Sequence, residues 1–89
     1  MALDFHALSD SERSEVLYHL DHISYLGLSE AFEQFEKKTG TIVDEYGTTR
    51  LYASSLKLLA ELTAAEEPEL AKFLIDCHRI GTDLVAEGD

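Results

Sequence analysis

The chain is poor in cysteine, proline and basic residues. It has one cysteine, one proline, one methionine and no tryptophan in 89 residues. With Cys77 alone, an internal disulfide is impossible and a multi-cysteine structural zinc site is excluded. No stretch approaches 18 consecutive apolar residues, so no membrane span is expected. The opening residues, Met1 to Leu8, carry Asp4 and His6 without a basic region or a long apolar run, a pattern that does not suit a secretory signal. A single thiol and no signal together suit a reducing, cytoplasmic setting. Seven Lys and Arg face eighteen Asp and Glu, a net charge of −11. Such a charge repels phosphates and anionic headgroups, so neither nucleic acid nor a membrane is expected as a direct partner. Glycine-rich phosphate loops, a serine elbow and a zinc-protease motif are absent as well.

What is present is a hydrophobic share of 45%, ordinary for a globular domain. A chain of this length has room for one domain, taken as residues 1–89 with an arm at 1–8 and a frayed tail at 87–89. Helical punctuation recurs along it. Ser9-Asp10-Ser11-Glu12 has the spacing of a capping box, and Val16, Leu20 and Ile23 then share a helix face ending near Gly27. Ser29 opens a second segment in which Phe32, Phe35, Thr39, Ile42, Val43 and Tyr46 recur at helical spacing across Gly40. The continuous helix is favoured there, and a short extended piece at 41–46 is the alternative. Gly47 and Thr48-Thr49 precede a leucine-rich third segment containing Leu51, Tyr52, Leu56, Leu58, Leu59 and Leu62. Pro68, set among glutamates, opens a fourth with Leu70, Phe73, Leu74, Cys77, Ile80, Leu84 and Val85 on one face. Helices near 9–26, 29–46, 48–65 and 67–86 predict an all-α, small antiparallel four-helix bundle. The apolar arcs of the first, third and fourth segments are wider than a lone bundle requires, which points to self-association, most simply a homodimer.

Candidate chemistry is sparse. Glu15, His19 and His22 fall at i, i+4 and i+7, where a helix could present three metal-binding groups. A hydrogen-bonded packing histidine is the commoner use of such positions, so no metal and no other cofactor is expected. Glu-x-x-His pairs, which a carboxylate-bridged di-iron bundle needs, do not occur. Cys77 and His78 point about 100° apart on a helix, so His78 cannot readily serve Cys77 as a base. Tyr18, His22 and Tyr25 would form a surface stripe suited to binding a partner, with Tyr52 as a second candidate.

These features predict a small acidic helical protein-interaction module with a regulatory or adaptor role, self-associating and without catalysis of its own. Its partner would be another protein, itself, or both. Two alternatives stay open: an acidic inhibitor or nucleic-acid mimic occupying a basic groove, and a helical bundle binding a metal or small ligand.

Overall fold

Strands and helices are interspersed along the chain. In the computed structural model, which describes residues 2–88, the order is β1 (Ala2–Ala7), β2 (Tyr18–Asp21), α1 (His22–Gly27), α2 (Ser29–Thr39), β3 (Thr48–Leu51), α3 (Ala53–Thr63), α4 (Pro68–Ile80) and β4 (Leu84–Gly88). The strands form one antiparallel sheet in the order β2-β1-β4-β3. The expected all-α, four-helix bundle is thus incorrect, and the fold is mixed α/β.

Alternation of side chains explains the sheet. Leu3 and Phe5 of β1 are fully buried and lie opposite Leu20 and Tyr18 of β2 on one side, and Gly88 and Ala86 of β4 on the other. Leu51 and Leu84 continue the same face. Against it pack Leu28, Phe32 and Phe35 from the first helical pair and Leu56, Leu59, Leu70 and Leu74 from the second, making one contiguous core. α3 and α4 form a hairpin that joins β3 to its neighbour β4.

The opposite face is covered by residues 8–17. His6, Val85 and Glu87 point to that side, and His6 and Val85 are buried although they lie away from the helices. His6 Nδ1 donates to Glu15 O at 2.8 Å. Arg13 Nε lies 3.1 Å from Glu87 Oε1 but off the N–H direction, so the contact is an ion pair and not a hydrogen bond. The capping box expected at Ser9–Glu12 does not start a helix. Asp10 instead accepts from Ser14 Oγ and Glu15 N, and Arg13 turns the chain in the left-handed region at φ 56°. The backbone N–H groups of Glu15 and then Ser14 hold the Asp10 carboxyl below its ordinary range.

Each expected helix is shortened for an identifiable reason. In the first, Val16 is 50% exposed and Ile23 81% exposed, so the Val16–Leu20–Ile23 line is not a core face. Only α1 is helical there, capped by Asp21, whose Oδ1 accepts from Ser24 N at 2.8 Å. The second helix ends at Gly40, which is left-handed at φ 78°, with Lys37 and Lys38 in its last turn. Residues 41–46 are then irregular, and the extended piece lies later, at β3. The third helix begins at Ala53, not Thr48, because Asp83 Oδ1 accepts from Ala53 N at 2.7 Å. The fourth stops at left-handed Gly81, where Thr82 N donates to Cys77 O, and the residues expected to prolong it form β4.

Gly88 is required by close approach. A Cβ there would lie 1.7 Å from Glu45 O, because residues 44–47 cross the end of β4, with Gly88 N donating to Gly47 O at 2.8 Å.

Candidate functional site

The stripe expected from Tyr18, His22 and Tyr25 is split between two elements, and each of its members contacts the chain itself. Tyr18 lies on β2, stacked on Phe73 at 5.2 Å between ring centroids and edge-on to Phe5. Burial there, with Glu67 and Glu69 nearby, raises its hydroxyl above the ordinary tyrosine range. His22 opens α1 and donates from Nδ1 to the buried Glu45 carboxyl group. Tyr25 donates its hydroxyl to Val43 O at 3.0 Å and leans on Phe32. Tyr52, the fourth candidate, is 51% exposed.

The helix face that would join Glu15, His19 and His22 is absent. Glu15 lies in the 8–17 segment, His19 on β2 bonded to Asp4 at 2.6 Å, and His22 on α1. Among the described residues no group of three His, Cys, Asp or Glu side chains is placed to hold a metal ion. Cys77 is buried, and desolvation raises its thiol above the usual range, which leaves it little thiolate character. His78 turns away from it and donates from Nδ1 to Ala53 O. Surface depressions are open: about 450 Å³ between Leu8 and Asp83, and about 330 Å³ over Ala60 and Ile75 between α3 and α4. Among the described residues no helix is long and apolar enough to cross a membrane.

The most unusual surface lies at β3. Exposure alternates from Tyr46 to Tyr52: Tyr46, Thr48, Arg50 and Tyr52 are exposed, whereas Thr49 and Leu51 are buried. Of the seven large hydrophobic side chains left exposed among the described residues, three (Ile42, Tyr46 and Tyr52) flank this one strand. β3 is also a sheet edge. The Gly88–Gly47 hydrogen bond fixes the parity of its ladder, since alternate pairs bond in an antiparallel sheet. Thr49 and Leu51 therefore turn their backbone groups to β4, while Thr48 and Arg50 turn theirs outward. No intrachain hydrogen bond among the described residues reaches those outward groups. Thr49 Oγ1 points inward, donating to Ile42 O at 3.0 Å, so residues 42–44 brace the inner side of the strand and leave its rim open.

The strand thus offers free backbone donors and acceptors beside the cation of Arg50, with the exposed ring of Tyr52 directly after it and Tyr46 in the turn before it. Edges of this kind template pairing with another strand, and Tyr and Arg are the residues enriched at binding hot spots. Of these residues, helical periodicity singles out only Tyr52. It assigns Tyr46 to the core of a second helix and Arg50 to the solvent side of a third. The available signal was the alternation of Thr48 to Tyr52 directly after Gly47, in β-prone residues.

No family model, no curated protein and no solved structure matches the chain.

Proposed function

We propose that this chain is a small acidic α/β interaction module with a regulatory or adaptor role, which binds through the rim of β3 and carries out no catalysis of its own. What supports the reading is an edge strand with exposed Thr48 and Arg50 and unbonded outward backbone groups, followed directly by exposed Tyr52. The broad apolar arcs that first suggested association do not support it, because the sheet absorbs them. Leu84, Val85 and Ala86, for example, are all buried because β4 is covered on both faces. The lone buried thiol of Cys77 fits a reducing compartment such as the cytoplasm.

The test compares proteins retained from the native host by the parent chain and by Tyr52→Ala and Thr48→Pro. Loss of the same retained protein from both variants, with folding unchanged by circular dichroism, supports the reading. Retention equal to the parent's in both variants refutes it. Salt separates it from an acidic inhibitor: binding carried by a net charge of −11 to a basic groove weakens steeply with salt, whereas edge pairing does not.

A further inference from the structure

We infer that the outer face of α1 and the depression beside it form a second docking surface. Its occupant is a segment of another protein that presents a lysine or arginine next to an apolar side chain. This surface lies on other elements than β3 and stands independently of it. α1 contains no buried residue. Its inner side is taken by Tyr25, which bonds Val43 O and leans on Phe32. Ile23, Leu26 and Gly27, at i, i+3 and i+4, share the side turned to solvent. Ile23 is the most exposed of the large hydrophobic side chains among the described residues, and Leu26 is more than half exposed. Neither packs against the core.

Gly27 leads from this face into a depression of about 280 Å³, lined by Gly27, Ala31 and Leu62 and by Glu30, Gln34 and Glu66. Sites for whole small molecules usually start at about 300 Å³, so this one suits a single long side chain. Its carboxylates come from two elements, Glu30 from α2 and Glu66 from the turn between α3 and α4. No lysine, arginine or histidine lines the depression with them. Residues 14–36 and 58–71, which supply both walls, contain no lysine or arginine at all. Among the described residues neither Glu30 nor Glu66 forms an ion pair. A partner's cation therefore completes the depression, with its methylenes on Ala31 and Leu62 and its charge at the carboxylates. Apolar neighbours of that cation then cover Ile23 and Leu26. The net charge of −11 steers basic segments toward the surface and repels acidic ones, a second copy of this chain included.

Resonance shifts of the isotope-labelled full chain, titrated with a synthetic amphipathic peptide of leucine and lysine, read this surface. A leucine–glutamate peptide of the same pattern and spermine, a cation without apolar side chains, are the controls. The leucine–lysine peptide should shift Ile23, Leu26, Gly27, Glu30, Leu62 and Glu66 together, and neither control should reproduce that set. Gly27→Arg should weaken peptide binding about tenfold or more, because its own cation fills the depression. The position accepts a side chain, since a Cβ there would meet nothing within 4 Å. Arginine also favours a helix more than glycine does, so the variant stays folded. Ile23→Ser should weaken binding about threefold to tenfold. Glu30→Gln and Glu66→Gln should each cost about threefold at low salt and less as salt rises. Glu61→Gln, which removes the same charge outside the depression, and Tyr52→Ala, beside β3, should have little effect. Equal binding by the parent and Gly27→Arg overturns the inference. Equal weakening by Glu61→Gln and Glu66→Gln does so too, because binding would then follow net charge alone. Shifts that leave out Ile23 and Leu26, or a spermine response equal to the peptide's, also overturn it.

Discussion

The two edges of the sheet are equally short and differently finished. β2 and β3 are four residues each and close the sheet at opposite sides. At β2 the edge is blunted. Leu17 N donates to Phe5 O although Tyr18 is the partner of Phe5, so two residues face one, as in a β-bulge. Tyr18 is drawn inward under Phe73, His19 is tied to Asp4, and Asp21 turns the chain at once into α1. The bulge and the charged side chains are known ways to keep an edge from pairing. β3 likewise passes into a helix within two residues and carries the charge of Arg50, but it has no bulge, and exposed Tyr52 follows it directly. Blunting one edge and leaving the other open separates a strand that only completes the sheet from one built to meet another chain.

Proline substitutions test the parity on which that contrast rests. At Thr49 the N–H belongs to the ladder with β4, so Thr49→Pro orphans a buried carbonyl and removes the Thr49 hydroxyl bond to Ile42 O. A loss of about 3 kcal/mol is expected in urea unfolding. At Thr48 the N–H faces out, and Thr48→Pro should change stability by about 0.5 kcal/mol or less. Equal losses at the two positions would show that the rim of β3 is not open. Next in size is Gly88→Ala. Its Cβ would meet Glu45 O at 1.7 Å, forcing residues 44–47 off the end of β4, and overpacking of this kind removes about 2 kcal/mol. Because that segment braces β3 from inside, the amides of Thr49 and Leu51 should also exchange faster. Unchanged exchange would place the brace elsewhere.

A pair of tyrosine truncations sharpens the comparison further. Tyr18→Ala removes the ring stacked on Phe73 and should lower unfolding stability by about 1–2 kcal/mol with no effect on association. Tyr52→Ala removes an exposed ring and should leave stability within about 0.5 kcal/mol while weakening association. Denaturation and host-protein retention on the same two variants suffice. If Tyr18→Ala impaired association and Tyr52→Ala impaired folding, the roles of the two edges would be reversed.

Several helix boundaries are legible in the residues because their causes are local. Gly40 and Gly81 stop helices by adopting the left-handed conformation, and Pro68 starts one. The fold class was not legible, for reasons visible in particular segments. Leu84-Val85-Ala86 is a continuous apolar run, which a helix face and a strand covered on both sides share, and periodicity does not separate them. The start of α3 depends on Asp83, thirty residues ahead of Ala53. The alternation Leu3-Asp4-Phe5-His6 does signal a strand, but it stands in the segment expected to be an arm. Tyr52 was identifiable as a surface candidate from its residue type and its place in the third apolar segment. Arg50 joins it only because the strand sets it two residues before Tyr52 with the same parity, which no helical wheel reproduces, and Tyr46 stands in the turn before the strand.

The smallest predicted effect concerns the turn that closes the blunted edge. Asp21 accepts the Ser24 N–H, and this hydrogen bond, more than any neighbouring charge, lowers its carboxyl below the ordinary value. A carboxyl whose folded pKa lies below its unfolded one contributes stability that is fully present above the unfolded value, about 3.9, and is lost as pH falls through the folded value. Asn caps helices nearly as well as Asp, so Asp21→Asn should be close to the parent near neutral pH yet lack this part of the acid response. Urea midpoints, close at neutral pH, should separate as pH falls through the folded value, the parent dropping below the variant, while association with the host protein that β3 retains stays equal in the two at neutral pH. Parallel pH curves would mean that the Asp21 carboxylate is not what holds the turn after β2. A change in association would mean that the two edges, set apart here by their chemistry, communicate through the sheet between them.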